Sequence, residues 1–517
     1  MGTDHDHEAG SPAARRLAGG AGVVFLAALV DRGLRFGLTW LLSTALGAAA
    51  FGLYVSAVTV LGLVTAVSPL GMDAAAVYFG ARQRQAGDHG AWKGTVLATL
   101  GVGTLAGLAM ALAVVGLASG GPLPGRAPAL AAALVHLSPA VPAWALLLAC
   151  VGLLRARHDM RASALSFQIL LPLALLAGAA LGLWRDGGLS SVLDAWVGAS
   201  VIAAVVAFVQ VLRREAALLR DPMTPARAEL RRLLGHALPQ SIEKPLFLLT
   251  HWTDLLVLTW LATAAEVGVY KIASSLALLC MVPVGAVGTA VSPLIAECFE
   301  GGDRDGLVSL LRLASRTLVL LLTPVVAGVV LVPELPLALF ADEYAAGVDV
   351  LRVLALGQLP FAAAIPCIRA VPMSGRAWTN LADQVAVVVL NLLLNAVLVP
   401  EHGALGAAVA TACSLAAWAL LATVQVRWML GRALLDPTSR AVLIVSALVS
   451  LGAVGLVGAP LPVRLAAAAS AVIGPWGWLL LRLRGPDRGL VQRLRRRGGR
   501  PGGQRVPGRR PPRSPVP

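Results

Sequence analysis

Six basic side chains lie in stretches otherwise apolar enough to cross a membrane: Arg32, Arg35, Lys244, Lys271, Arg352 and Arg369. At the centre of a lipid-embedded helix each would cost roughly 2.5–3.5 kcal/mol, so they are expected to face a protein interior or a wet cavity. There they could hold an anionic group. Arginine is the better suited, because its planar guanidinium donates two parallel hydrogen bonds to a carboxylate or phosphate. The ligand-binding candidates are Arg32, Arg35, Lys244 and Arg369. Five acids share these stretches: Asp31, Asp73, Glu243, Asp254 and Asp383. They offer the opposite chemistry, holding an organic cation or carrying a coupling proton or sodium ion, with Asp31, Asp254 and Asp383 as the coupling candidates.

Spacing groups these residues. Arg32 and Arg35 share a face of the first helix, and Asp31, four residues before Arg35, is its obvious partner. The same pair reads equally as a buried ion pair that fixes helix packing. Lys244 and His251 are seven apart and Glu243 and Asp254 eleven apart, close to whole turns, which predicts one polar stripe on the seventh helix. Gln384, Asn391 and Asn395 form a second stripe beside Asp383, and the asparagine pair reads as interhelical hydrogen bonding. Lys271 and Arg352 lie near span ends and are expected to snorkel, and His251 has no evident relay partner. Arg369, between Pro366 and Pro372, stands out as a ligand group, because the prolines free backbone acceptors that a membrane helix tolerates only against protein or a cavity.

The elements that must position them are membrane helices. The 517 residues are 57% hydrophobic and 13% charged, with mean hydropathy +0.78. That is too apolar for an ordinary soluble protein. Successive segments of about 20 residues predict about fourteen spans in an all-α integral membrane fold. With the N-terminus cytoplasmic, the inside loops collect twenty-one Lys and Arg, while the outside loops hold only Arg126, Arg185 and Arg464. The positive-inside rule therefore puts both termini in the cytoplasm. The expected organisation is a disordered N-terminus (1–19), a six-helix lobe (20–212), a cytoplasmic linker (213–237), a second six-helix lobe (238–430), an extra hairpin (438–483) and a basic disordered tail (484–517).

Two lobes are expected because the chain repeats. Gly52-Leu53-Tyr54 returns as Gly268-Val269-Tyr270 at an offset of 216, Gly87-Asp88 as Gly302-Asp303 at 215, and Gly188-Leu189 as Gly403-Ala404 at 215. A constant offset over a whole helical hairpin points to duplication into two pseudo-symmetric bundles, an architecture that secondary transporters use.

The five cysteines stand singly in apolar segments, without the spacing of a disulfide framework or a zinc site. No metal motif, phosphate-binding glycine loop or nucleophile constellation is present, so neither a cofactor nor catalysis is expected. The net charge of +15 resides in short loops and the tail, where membrane topology accounts for it better than nucleic-acid binding.

Residues 391–411 carry Asn391, Asn395, Pro400, Gly403, Gly406-Ala407-Ala408 and Ala410-Thr411. This pattern resembles the penultimate core hairpin of bacterial polysaccharide and oligosaccharide flippases, in the multidrug/oligosaccharidyl-lipid/polysaccharide exporter superfamily. Leu46-Gly47, Phe51-Gly52-Leu53-Tyr54 and Leu70-Gly71-Met72 resemble that family's first hairpin, and Asp254-Leu255-Leu256 with Val267-Gly268-Val269-Tyr270 its seventh and eighth helices. The resemblance implies two six-helix bundles around a cavity that opens alternately to either side. Its implied cargo is an oligosaccharide on a polyprenyl diphosphate, moved from inner to outer leaflet of a bacterial-type cell membrane. The implied partners are this lipid-linked substrate, membrane lipids, a coupling proton or sodium ion, and polysaccharide assembly proteins. One departure stands: Ser43-Thr44 occupies the place where many relatives carry a basic residue. A cation-coupled multidrug antiporter of the same fold is the alternative, and a membrane polymerase or ligase a more distant one.

Overall fold

The computed structural model describes residues 12–120, 127–185, 187–216, 226–281, 301–374 and 376–431, with short pieces between 284 and 299 and between 448 and 470. Regular structure among them is helical. Helix α1 (Pro12–Val67) has 56 residues. Unbroken it would be about 84 Å long, nearly three hydrocarbon cores of ~30 Å, and it breaks into two limbs at Gly47, whose φ of 75° and ψ of 167° leave the helical region. The second limb reaches Ser68-Pro69-Leu70-Gly71, where Leu70 and Gly71 are left-handed (φ 48° and 72°), and resumes as α2 (Met72–Gln85). Pro69 lacks the N–H that would continue the ladder, so the helix is interrupted there.

Helix α3 (His89–Gly120) is followed by α4 (Pro128–Leu137) and α5 (Ala140–Ala156), which meet at a bend of 47° at Ser138-Pro139. Then come α6 (Met160–Ala164), a π-helical turn over Leu165–Leu170, α7 (Leu171–Trp184) and α8 (Gly188–Glu215). The second half holds α9 (Ala226–Leu261), α10 (Ala264–Leu279) and α11 (Arg304–Leu331). The short α12 (Glu334–Leu337) and a 3-10 turn (Asp342–Gly347) lead to α13 (Val348–Met373). The last long element, α14 (Ala377–Leu430), breaks at Gly403 (φ 53°, ψ −132°) into two more limbs. Among the described residues seven helices are long and apolar enough to cross a membrane, eight with the bent pair. Exposed tryptophans sit near helix ends or breaks: Trp40, Trp184, Trp260, Trp378 and Trp428. That is where an amphipathic ring meets the headgroup layer. The chain is a multi-pass membrane protein.

The internal repeat is visible atom by atom. Gly87 (φ 72°) and Gly302 (φ 66°) end their helices in the left-handed conformation that glycine adopts without steric cost. In both copies the following aspartate N–H bonds five residues back at 3.0 Å, Asp88 to the carbonyl of Gln83 and Asp303 to that of Cys298. In both, its carboxylate caps the next helix at 2.9 Å, accepting from Ala91 N and Gly306 N. The Gly52 and Gly268 pair meets directly. A Cβ on Gly52 would fall 1.6 Å from the Ala264 carbonyl oxygen, and one on Gly268 would fall 2.4 Å from that of Ala48. Each glycine thus approaches the residue four before its own counterpart, so the second limb of α1 and α10 cross about a pseudo-two-fold axis.

Candidate functional site

Around this crossing lies a cavity of about 810 Å³. Both limbs of α1, α5, the π turn with α7, and α8 form most of its wall, and α9 and α10 close it from the second half. Its polar lining is Arg35, Thr39, Thr59, Thr65, Ser200 and Lys271; its aromatic lining is Phe51, Tyr54, Trp144, Phe167, Trp196 and Trp252. No carboxylate appears among the described lining residues.

Arg35 faces the cavity from the first limb of α1 with its Nε bonded to Asp31 Oδ1 at 2.8 Å. The pair lies within one helix and both side chains keep solvent access, 47% for Arg35 and 20% for Asp31. It therefore orients the guanidinium and does not join helices; of the two sequence readings, the packing one does not hold. The terminal nitrogens Nη1 and Nη2 meet no described acceptor, leaving the fork open for an oxyanion. Lys271 reaches the same cavity from α10. Expected to snorkel toward a span end, it lies instead seven residues inside its helix, half-buried, and no described carboxylate pairs with it.

The other predicted residues are dispersed. Arg32 is exposed on α1, one turn before Arg35. Arg369 is exposed on α13 and absent from the described cavity lining. Lys244 lies on α9, but its side chain, with those of Glu243 and His251, is outside the described residues. Asp254 is buried, and its Oδ2 accepts from the Tyr270 hydroxyl and, at 3.3 Å, from Thr411 Oγ1. Oδ1 accepts from the Leu255 N–H at 2.9 Å. This cluster ties α9, α10 and the second limb of α14 together, and the Asp254 and Lys271 charges are close enough to interact. Asp383 accepts from Gln425 Nε2 at 2.7 Å, joining the two limbs of α14. Asn395 donates back to the Asn391 carbonyl at 2.9 Å and side chain at 3.1 Å, within its own helix, so the expected bridge to a neighbour is not made.

Beyond Phe51 of the cavity wall, a clamp joins sequence-distant segments. Trp40 Nε1 donates to the Leu339 carbonyl at 2.7 Å, the Tyr344 hydroxyl to the Ser43 carbonyl at 3.1 Å, and the Ala48 N–H to Glu343 Oε2 at 2.6 Å. Phe340 packs edge-on against Phe36, and Tyr344 against Phe51. Near this clamp Arg352, four residues into α13, bonds Asp349 at 2.9 Å and the Val330 carbonyl at 3.2 Å. Beside it Glu334 accepts from Arg464 at 2.9 Å. Partial burial alone would raise the Glu334 pKa, but the hydrogen bond from Arg464 and the charges of Arg464 and Arg352 hold it below its ordinary value.

Two bundles related by an internal repeat, crossing at a pseudo-two-fold axis beside a cavity, define a membrane-transporter fold. The family model described as "Polysaccharide biosynthesis protein" matches residues 17–299, more than half of the chain. The chain belongs to the polysaccharide biosynthesis protein family. A second model, MatE, matches residues 239–397. The "Probable low-salt glycan biosynthesis flippase Agl15" of Haloferax volcanii is 26% identical over 166 residues, 32% of this chain. That match spans about a third (35%) of the relative's own length. The structure titled "Lipid II flippase MurJ, inward closed conformation" superposes with a TM-score of 0.69 at 13% identity, covering 89% of this chain and 99% of that one. An inward-facing multidrug resistance MATE family transporter of the MOP superfamily gives 0.62 at 15% identity, covering 78% and 94%. At these identities the structural likeness establishes the fold.

The residues missed by spacing arguments are Lys271, Tyr270, Thr411 and the aromatic wall. The repeat counterpart of Lys271 at an offset of 216, Val55, lines the same cavity, so the structure places both positions on one wall-forming face.

Proposed function

We propose that this protein moves an oligosaccharide linked to a polyprenyl diphosphate from the inner to the outer leaflet of the cell membrane by alternating access. The observation that carries the reading is the pair Arg35 and Lys271, on helices from opposite halves, lining one cavity whose described lining includes no carboxylate. A diphosphate needs cations in a low-dielectric site, and the polysaccharide biosynthesis family match and the relative named as a glycan biosynthesis flippase support a glycan-bearing cargo. Arg32, Arg369 and Lys244 complete the proposed set of cations that the diphosphate meets. The lobes are taken as 20–212 and 238–430, joined by 213–237, with both termini cytoplasmic by the positive-inside count. On that orientation the clamp of Trp40, Ser43 and Ala48 against 339–344 closes the outer end. Asp254, buried with Tyr270 and Thr411 beside Lys271, is the proposed coupling group for a proton or sodium ion. Translocation requires no covalent step.

A second reading, a cation-coupled multidrug antiporter, draws support from the MatE match and from Asp254. Reconstitution separates the two. In proteoliposomes the wild type should flip lipid-linked oligosaccharide, Arg35→Gln should slow it at least tenfold, Arg35→Lys should restore part of the rate, and Asp254→Asn should remove its dependence on an ion gradient. Cation-driven drug efflux without cargo flipping would replace the flippase reading with the antiporter.

A further inference from the structure

We infer that the aromatic wall of the cavity is a glycan subsite, in which the stacked Trp144 and Trp196 rings receive the C–H face of the sugar next to the diphosphate. This rests on the proposed function and goes beyond it in assigning residues that read the sugar. Aromatic residues are 5% of the chain but six of the 24 residues lining the cavity. The enrichment lies in the cavity wall, where the rings can meet a ligand.

The rings are held in place. Trp144 and Trp196 stack with centroids 5.5 Å apart and planes 16° from parallel, and Phe167 meets Trp144 edge-on at 5.8 Å. Trp144 Nε1 donates to Ser200 Oγ at 3.0 Å, and the Ser200 hydroxyl donates in turn to the Trp196 carbonyl at 2.7 Å. With the Trp144 indole N–H already satisfied, the part of that ring that lines the cavity is apolar. Phe167 projects from the π-helical turn over Leu165–Leu170, an irregularity that often marks a functional position in a helix. From the second half, Trp252 reaches over Gly62 of α1, where a Cβ would sit 2.5 Å from its ring. That glycine keeps room for the aromatic group on the opposite wall.

The chemistry selects the ligand. An aromatic face carries partial negative charge and attracts either a cation or the polarised C–H groups of a pyranose ring. A cationic ligand is disfavoured here, because Arg35 and Lys271 share the cavity and no described carboxylate lines it. A neutral ring bearing an anionic group fits all of these features. Its hydroxyls would meet Thr39, Thr59 and Thr65, which line the same space. Recognition through a ring face predicts tolerance of different sugars that present C–H groups on one face.

Binding to purified protein in nanodiscs tests the assignment, with two probes: a short-chain prenyl diphosphate, and the same molecule carrying one N-acetylhexosamine. The wild type should bind the sugar-bearing probe about tenfold more tightly, the effect of two aromatic contacts. Trp144→Leu and Trp196→Leu should reduce that preference, read as the ratio of the two affinities within each variant, to about twofold. Trp144→Phe should retain most of it, which separates lost stacking from lost folding. Equal wild-type affinity for the two probes, or a preference unaffected by both leucine variants, would overturn the glycan subsite and leave the flippase reading standing. Binding of neither probe would overturn both.

Discussion

Glu343 is the most informative position at which to perturb the clamp. Its carboxylate accepts from the Ala48 N–H at 2.6 Å across 295 residues of sequence. Ala48 opens the second limb of α1, so its N–H is one of the donors that a helix start leaves without an intrahelical partner, and the residue is 4% exposed. A charge-assisted bond of this kind is worth about 1.5–3 kcal/mol, to which the helix N-terminus adds roughly 0.3–1 kcal/mol. Because the Trp40 and Tyr344 hydrogen bonds remain, Glu343→Ala should weaken the closed state by about 2 kcal/mol, a factor of about 30 in the closed-to-open ratio. A closed-to-open ratio of about 99 to 1 would become about 3 to 1 on that scale. Glu343→Gln keeps an acceptor but loses the charge, and should shift the ratio by about fivefold. Spin labels at the exposed Ala45 and Leu339, in a cysteine-free background, would report the two populations by their distance distribution. The long-distance population should grow from wild type to Gln to Ala. A distribution unchanged in Glu343→Ala, or the reverse order, would refute the clamp as the element that sets this equilibrium.

At the helix crossing, Gly52→Ala drives a methyl group to 1.6 Å from a backbone oxygen that cannot rotate away. Overpacking costs about 1–3 kcal/mol and more against backbone, so chemical denaturation in detergent should show a loss of about 2–3 kcal/mol. Gly101→Ala, with nothing within 4 Å, should be neutral or gain up to about 1 kcal/mol; equal behaviour of the two variants would refute the close crossing. Glu334 titrates below its ordinary value in the folded protein. Its contribution to stability is therefore present above the unfolded glutamate pKa of about 4.3 and is lost as pH falls through the lower folded value. Thermal unfolding between pH 7 and 3 should have a shallower acid limb in Glu334→Gln and in Arg464→Met, and an unchanged limb in both would remove this pair from the account.

The sequence by itself determined the features that are made by neighbours along the chain. The Gly-Asp turns were legible because Gly87 and Gly302 take a left-handed φ and Asp88 and Asp303 cap the helix that follows. The Asp31–Arg35 bond was legible because residues four apart face one another on a helix. Membrane class followed from composition, and duplication from a constant offset. Tertiary structure alone decided which side chains share a cavity. It placed Lys271 in the cavity that Arg35 lines, left Arg369 off the described lining, assembled Trp144, Trp196 and Trp252 from three helices, and set Glu343 against Ala48. The physical reason is that lipid and protein interior are both apolar, so the Leu, Ala and Val on two sides of a membrane helix carry no signal for which side faces the partner. The rotation of each helix is settled by close packing, as where Gly52 meets Ala264 and Gly268 meets Ala48, and the polar residues are carried wherever that packing points them.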